Sequence, residues 1–529
     1  MVKSTLWALP TSAVLQVVLF AGIFVLNFFM VTDPDLWWHL ATGRYIVATG
    51  TIPASDPFSY TAAGQPWTAH EWLAEIAMYL LYRSGGYLVP LLFFASLITL
   101  TFWTVFRTLR VLGRSLVASS CITFWVAAMS LAGWNVRPQV VSYLFFAVYL
   151  FLLLRSRVRV DRWLWLLPLV MIAWVNLHAG YVMGLLLLAL FIFGEWINRL
   201  GARAADRKQT TQAAAPERWD GETLGRRDFV TRAADPRSTI TGRASSLRRY
   251  LAGAAAPLAA TAVNPQGLSM LLYPLTYAGT QNASMKYIAE WQSPNFHDYF
   301  FFVFGASMMV LMVAPGRRPT DWALGVPLLA MTFMSLQSAR VIPFYALASA
   351  PFLGLRLAGE SLEVRRFRRG TQWNWLVLAL CLAALASTIF LSDRTQLGPE
   401  PRTNDYPVAG VRYIKEAGLD GNLFNTYHWG GFLVWEFYPE RRVFIDGRAD
   451  MYGDQFVEGY KKVYNVRSGW QEVLEQHQVE VALVEKDASV ANLLAASPDW
   501  EEVFQGEVER IFVRAKRNQS PQDGAGSTR

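Results

Sequence analysis

An apolar run over residues 6–31 stops on Asp33-Pro34-Asp35-Leu36-Trp37-Trp38-His39-Leu40, and further apolar stretches recur down the chain. A bilayer is crossed by about 20 apolar residues, so these stretches set the fold class: an α-helical polytopic membrane protein with about eleven transmembrane helices. They lie near residues 6–31, 87–106, 115–133, 138–154, 163–177, 181–197, 250–263, 299–314, 322–336, 341–355 and 373–391. Composition agrees: 17% of the residues are charged, against about a quarter in a soluble domain.

The basic residues of the short loops give an orientation. With eleven spans counted, Arg107, Arg110, Arg114, Arg155, Arg157, Arg159, Arg162, Arg317, Arg318, Arg356, Arg365, Arg366, Arg368 and Arg369 fall on one side. The opposite loops hold little more than Arg44, Arg83, Arg137, Lys286 and Arg340. The N-terminus is therefore expected in the cytoplasm and everything after residue 391 outside. Residues 6–31 are too long for a signal peptide and show no small-residue cleavage site, so they read as an uncleaved span. The anchors explain the net charge of +8 without a nucleic-acid partner. Cys121 and Cys381 both lie within expected spans and carry no functional signal.

The expected organisation is a membrane domain over residues 1–392, with 32–86 as its first outer loop, and a small extracytoplasmic α/β domain over 403–515. In the latter, apolar runs at 442–445 and 479–484 read as strands between helical patterns at 408–417 and 471–477. Residues 198–249 read as a disordered cytoplasmic linker and 516–529 as a loose polar tail.

Nearly every unusual polar residue falls on the outer side of this map. The first outer loop carries Asp33, Asp35, His39, Asp56, His70, Glu71 and Glu75. The fifth span ends near His178, a later outer loop holds Glu290, Trp291 and His297, and Arg137 and Arg340 are lone arginines of outer turns. Carboxylates at the mouth of a membrane helix are costly unless they meet a metal, a proton or a charged ligand. Asp33 and Asp35 are on that ground the catalytic candidates. The competing reading makes Asp33 a helix cap, worth about 1 kcal/mol. Asp35 and His39, spaced i, i+4, can face together on a helix. His39, His70, Glu71 and His178 are candidates for a metal or a phosphate. A zinc-protease motif is excluded, because position 74 is Ala and H-E-x-x-H is absent.

Trp37 and Trp38 suit sugar stacking, although interfacial tryptophan belts occur in any membrane protein. Glu290, Trp291 and His297 are candidates for acceptor or sugar contacts. Arg137 and Arg340 are either lipid anchors or phosphate ligands, since a guanidinium matches a phosphate bidentately. In the outer domain, Gly430-Gly431 reads as a tight turn or helix start and Asp446-Gly447 as a turn after a strand, with a rim over the acceptor as the alternative.

The layout resembles the GT-C glycosyltransferase superfamily: a first span ending in acidic residues, a long outer loop, many further spans and a C-terminal outer domain. It is similar to protein O-mannosyltransferases, aminoarabinose transferases and the oligosaccharyltransferase catalytic subunit, whose Asp-Pro-Trp run Asp33-Pro34-Asp35-Leu36-Trp37 loosely resembles. The similarity extends over most of the chain to uncharacterised bacterial membrane proteins of this type, through residues 33–75, 174–180, Glu290-Trp291, Arg340 and Asp446-Gly447-Arg448. The Trp-Trp-Asp motif of oligosaccharyltransferases is missing, which argues against glycosylation of asparagine sequons.

The resemblance implies a membrane glycosyltransferase that takes a sugar from a polyprenyl phosphate carrier within the membrane lipid. The acceptor would be a glycan, a lipid or a protein at the outer face of the cytoplasmic (inner) membrane, and transfer would be inverting. Asp33 or Asp35 would act as general base or hold a divalent cation, with His39, His70 and His178 as its ligands or phosphate contacts. Arg340, with Arg137, would clamp the phosphate. Carboxylates favour Mg²⁺ or Mn²⁺ and histidines Zn²⁺, so the metal stays open. These side chains are expected to gather in one cavity. The alternative, a transporter or flippase of a lipid-linked glycan, would place its site near the midplane between repeated halves. No internal repeat is evident.

Overall fold

The computed structural model describes residues 9–29, 33–158, 162–213, 247–273, 288–298, 301–313, 320–357, 370–371, 373–390 and 405–515. Of these, 33–89 and 405–515 form one compact unit and the remainder another. The first outer loop thus folds with the C-terminal domain rather than with the membrane helices.

In the larger unit each apolar stretch expected as a span holds a helix: Thr11–Leu26, Leu88–Val111, Leu116–Ser130, Gln139–Val158, Leu166–Leu177, Tyr181–Ala213, Leu247–Ala260, Phe302–Val313, Trp322–Gln337, Ile342–Leu357 and Trp373–Phe390. Among the described residues, four helical segments, Leu88–Val111, Leu116–Gly133, Gln139–Val158 and Tyr181–Ala204, are long and apolar enough to cross a membrane. The protein is accordingly a membrane protein. The helix from Tyr181 runs on to Ala213, into the segment expected as a disordered linker, because its Ala, Arg and Lys residues are good helix formers. Residues 214–246 and the tail 516–529 lie outside the described residues. β1 (Leu9–Pro10) and β2 (Gly370–Thr371) form a two-residue antiparallel pair.

A buried ion network joins three of these helices. Arg157 pairs with Glu195 at 2.8 Å and with Asp321 at 2.6 Å, and Asn198 donates to Asp321 at 2.8 Å. Asp321 also caps the helix it precedes by accepting the Ala323 N–H. The close approach needs Gly194, where a Cβ would lie 2.1 Å from the Trp322 carbonyl oxygen.

The smaller unit carries a four-stranded sheet of β3 (Asn422–Asn425), β4 (Val479–Glu485), β5 (Trp500–Gln505) and β6 (Glu509–Arg514), in the order β3-β4-β6-β5. β3 runs parallel to β4 and the other pairs are antiparallel. Helices at Val408–Glu416 and Trp470–Gln476 and the strand at Val479–Glu485 match the sequence pattern.

The run 442–445 does not. It forms no strand of the sheet; instead Val443 makes an isolated bridge to the first loop, donating to the Phe58 carbonyl and accepting from the Tyr60 N–H, each at 3.1 Å. The Asn425 side chain accepts the Phe444 N–H at 2.9 Å. The run is apolar because the first loop covers it, a burial that period alone does not distinguish from a sheet strand. The first-loop helices Leu36–Thr49 and Trp72–Gly85 pack on each other, and Gly430–Phe437 packs on the former.

Candidate functional site

Asp33 is buried, and its Oδ1 accepts the backbone N–H of Asp35 at 2.9 Å, just ahead of the helix that begins at Leu36. This Asx-type turn is the local reason the chain turns from the membrane run into a helix. Burial pushes the Tyr406 phenol up, and the neighbouring Asp33 carboxylate adds to the shift.

Asp35 is half-buried, with its carboxylate against the 446–448 turn. A Cβ at Gly447 would sit 2.1 Å from Asp35 Oδ1 and 2.9 Å from Trp38 Nε1. The missing side chain of Gly447 is therefore what admits both groups. Trp38 Nε1 is buried with no hydrogen-bond partner. A Cβ at Gly431 would meet the Pro34 carbonyl at 2.8 Å, so Gly430-Gly431 is a helix start that lets the C-terminal domain close on the loop. Trp37 lies on the other side of that helix, 3% exposed, with its ring set among Tyr82, Tyr406, Phe432 and Trp435. Its faces belong to an aromatic core and are not presented to a sugar.

The turn itself is held by Arg448, 2% exposed. Its guanidinium grips Asp446 through Nε at 2.8 Å and Nη2 at 2.6 Å, and Nη1 pairs with Asp56 of the first loop at 2.8 Å. Phe58 and Trp67 lie against its charged plane, at 5.0 and 4.6 Å from the ring centroids. Tyr452 donates to Asp446 at 3.0 Å. The carboxylates beside it hold the Arg448 guanidinium firmly protonated despite burial.

One turn beyond Asp35, His39 faces the second helix of the loop. Its Nδ1 lies 3.2 Å from Glu75 Oε1 and 3.5 Å from Glu71 Oε2. His70 Nε2 is 3.6 Å from the other Glu71 oxygen. All of His39, Glu71 and Glu75 are buried, and burial pushes the Glu75 carboxyl up against the opposing pull of His39. Glu75 joins the expected set of His39, His70 and Glu71; its signal was the i, i+4 spacing from Glu71. The three donors His39, Glu71 and Glu75 suit a divalent cation.

The remaining candidates lie in the membrane unit. His178 Nδ1 accepts the Gly180 N–H at 2.8 Å and is 2.7 Å from Ser142 Oγ, which itself accepts from Trp174 Nε1 at 2.7 Å. A backbone N–H only donates, so Nδ1 is the acceptor and the ring proton sits on Nε2. That tautomer makes His178 a hydrogen-bond donor, suited to an anion rather than to a metal.

Arg137 pairs with Glu290 Oε1 at 3.0 Å, and Arg340 approaches Glu290 Oε2 at 3.7 Å while lying 5.0 Å over the Trp291 ring. The two expected phosphate-binding arginines thus share one carboxylate. Ser338 Oγ donates to the Glu290 carbonyl and the Ala339 N–H to that of Gln292, which ties this loop to the Arg340 turn. His297 is exposed, its N–H donating to Asn295 at 3.1 Å, and is not brought to this cluster by any of these contacts.

No protein-family model and no curated protein sequence matches the chain. Among solved structures it is similar to the Archaeoglobus fulgidus oligosaccharyltransferase tethered to an acceptor peptide with an NVT sequon. That likeness has 13% identity and a TM-score of 0.51 over 89% of this chain and 69% of that one. AglB, an archaeal oligosaccharyltransferase of the same organism in complex with an inhibitory peptide and a dolichol-phosphate, gives 10% identity, 89% and 69% coverage and a TM-score of 0.49. Cupriavidus metallidurans ArnT bound to undecaprenyl phosphate gives 13%, 96% and 99%, and 0.47. The first of these likenesses shows that the chain shares its fold with the Archaeoglobus fulgidus oligosaccharyltransferase.

Proposed function

We propose that the protein transfers a sugar from a polyprenyl-phosphate-linked donor to an acceptor at the outer face of the cytoplasmic membrane, with inversion at the sugar. The observation that carries this reading is that the Asp35 carboxylate and the buried, unpartnered Trp38 N–H both lie against Gly447, two and five residues after Asp33, on a GT-C-like fold. A carboxylate beside a buried donor is an arrangement that receives a hydroxyl: the base takes its proton and the indole N–H steadies an oxygen of the sugar or the acceptor. The acceptor oxygen then bonds the anomeric carbon from the face opposite the phosphate. The carbon–oxygen bond to the phosphate breaks, and the electron pair leaves with the lipid phosphate.

Within the membrane unit, Arg137 and Arg340 suit a phosphate, because guanidinium groups match its geometry and charge. His178, as an Nε2–H donor, suits an anion as well. Trp291, packed beneath Arg340, supports the arginine, and Glu290 holds both guanidinium groups until an anion competes for them. In the alternative to the general-base role, the carboxylate of Asp33 or Asp35 would hold a divalent cation, which would supply positive charge to offset the leaving phosphate.

The test is transfer by the purified full-length protein in detergent, using a synthetic polyprenyl phosphate sugar, with Asp33→Asn and Asp35→Asn beside the wild type. A general base contributes about 10²- to 10⁴-fold, so at least one variant should lose that much while melting normally. Wild-type turnover by both variants would return Asp33 to a helix-start role alone. Tight binding of the donor without turnover by any form would favour the transporter reading.

A further inference from the structure

We propose that His39, Glu71 and Glu75 form a zinc site that fastens the two helices of the first loop and so fixes the segment bearing Asp33 and Asp35. The inference rests on the geometry of this loop and not on the sugar-transfer reading. His39 stands on Leu36–Thr49, Glu75 on Trp72–Gly85, and Glu71 immediately before the latter helix. Their side chains are 3%, 1% and 10% exposed, so an ion held by them would bind far from bulk water.

The distances fit a metal site as well as the single His39–Glu75 hydrogen bond. A charge-assisted N–H···O bond spans about 2.7–2.9 Å, and a single Nδ1 proton serves one carboxylate. Here two carboxylate oxygens face the same Nδ1, at 3.2 and 3.5 Å, and the three donor atoms lie within 4.8 Å of one another. With zinc bonds of about 2.0–2.2 Å, the edge of a tetrahedron is about 3.4 Å, close to the two spacings from His39 Nδ1. The second Glu75 oxygen is buried with no hydrogen-bond partner, so the carboxylate has capacity left for a ligand.

Charge argues the same way. Two buried carboxylates outweigh one imidazole, and an uncompensated buried charge is strongly destabilising. A divalent ion removes the excess. One imidazole nitrogen with two carboxylate oxygens suits Zn²⁺ better than Mg²⁺, which prefers oxygen and water. His70, beside the other Glu71 oxygen, orients that carboxylate. The helices already meet tightly nearby: a Cβ at Gly43 would lie 2.1 Å from the Glu75 carbonyl oxygen. A metal between His39 and Glu75 therefore has a preformed frame.

The competing occupant is a proton on Glu75. The purified full-length protein should contain about one zinc per chain, and a chelator should remove it and lower the melting temperature by several degrees, with Zn²⁺ restoring it. His39→Gln and Glu75→Gln should lose both the bound zinc and the response. Glu75→Gln copies a protonated glutamate. If the wild-type protein takes up no zinc and Glu75→Gln melts with it, the proton holds the site and the proposal is overturned. Should the variants misfold, the chelation and restoration of the wild type decide alone. Metal content and melting are read without any transfer assay, so either result leaves the catalytic reading separately testable.

Discussion

Removing the Arg448 side chain tests how the first loop and the C-terminal domain hold together. In Arg448→Ala the carboxylates of Asp56 and Asp446 stay buried while the cation that meets both disappears. Breaking a buried pair by deleting one partner costs about 3–5 kcal/mol, because the remaining charge is left uncompensated. Here two acids share the arginine, and Phe58 and Trp67 lose the group packed against them, which puts the effect toward the upper end of that range. For a unit of this size, about 1 kcal/mol shifts the melting temperature by roughly 2–4 °C, so a fall on the order of 10 °C or more follows. Arg448→Lys keeps the charge but loses the two-pronged grip on Asp446, and should fall between the alanine variant and the wild type. The assay is thermal unfolding of the full-length protein in detergent, followed by fluorescence of the tryptophans that line the pair. A double-mutant cycle of Arg448→Ala with Asp56→Asn should show strong coupling. An alanine variant that melts within a degree or two of the wild type would refute the reasoning. It would mean that the two acids carry protons or water in place of the arginine.

Gly447→Ala places a methyl group where Asp35 Oδ1 and Trp38 Nε1 now sit. Stability should drop by about 1–3 kcal/mol, and transfer should fall by up to about 10²-fold because the carboxylate is displaced by an ångström or so; normal transfer would remove Asp35 from the chemistry. Trp38→Phe deletes an N–H that has no protein partner together with part of a buried ring packed on His39 and Trp67, so melting should fall modestly while turnover drops further; a loss of turnover no larger than the loss of folded protein would make Trp38 purely structural. The His428 contact, with help from Tyr464, holds the Glu485 carboxyl below its ordinary value of 4.5. The folded state therefore binds its proton less readily than the unfolded chain, and the stability so gained is present above pH 4.5 and lost as pH falls through the depressed value. Glu485→Gln should flatten that acid limb of the melting curve, and an unchanged limb would show that the contact does not form in solution. Finally, ¹⁵N shifts of His178 should report the Nε2–H tautomer at neutral pH, and a proton found on Nδ1 would contradict the Gly180 hydrogen bond.

The helices of the membrane unit were legible because long apolar runs admit one local solution. What pairs with what was not, since those contacts join residues far apart in the chain. Asp56 and Asp446-Gly447-Arg448 each stood out in the sequence, but nothing local says that one arginine answers both acids. The run 442–445 was misread for the same reason: a short apolar segment looks alike whether a sheet or a loop covers it. Glu75 stands one helical turn after Glu71, but that it faces His39 depends on how two separate helices pack, which spacing along the chain does not encode. Arg137 and Arg340 were found as cations out of place, while the acid between them, Glu290, had been weighed as a sugar contact. Trp37 and Trp38 are adjacent and alike in composition, and the helix sends one into an aromatic core and the other to Gly447.

These pairings also separate structural charges from working ones. Arg157 is answered by Glu195 and Asp321, and Arg448 by Asp56 and Asp446. A buried charge so enclosed specifies how elements dock and has little capacity left for a ligand. Trp38 Nε1 and one oxygen of Glu75 differ, being buried without a hydrogen-bond partner. An orphaned buried polar atom costs about 1–3 kcal/mol, and a fold retains that cost where something outside the chain meets the atom in use. The two orphans flank His39: Trp38 precedes it on the same helix, near Asp35, and Glu75 faces it from the second helix of the loop. Substrate contact at the first and an ion at the second would satisfy both, and the metal-dependent melting of the loop would then track how firmly Asp35 is held.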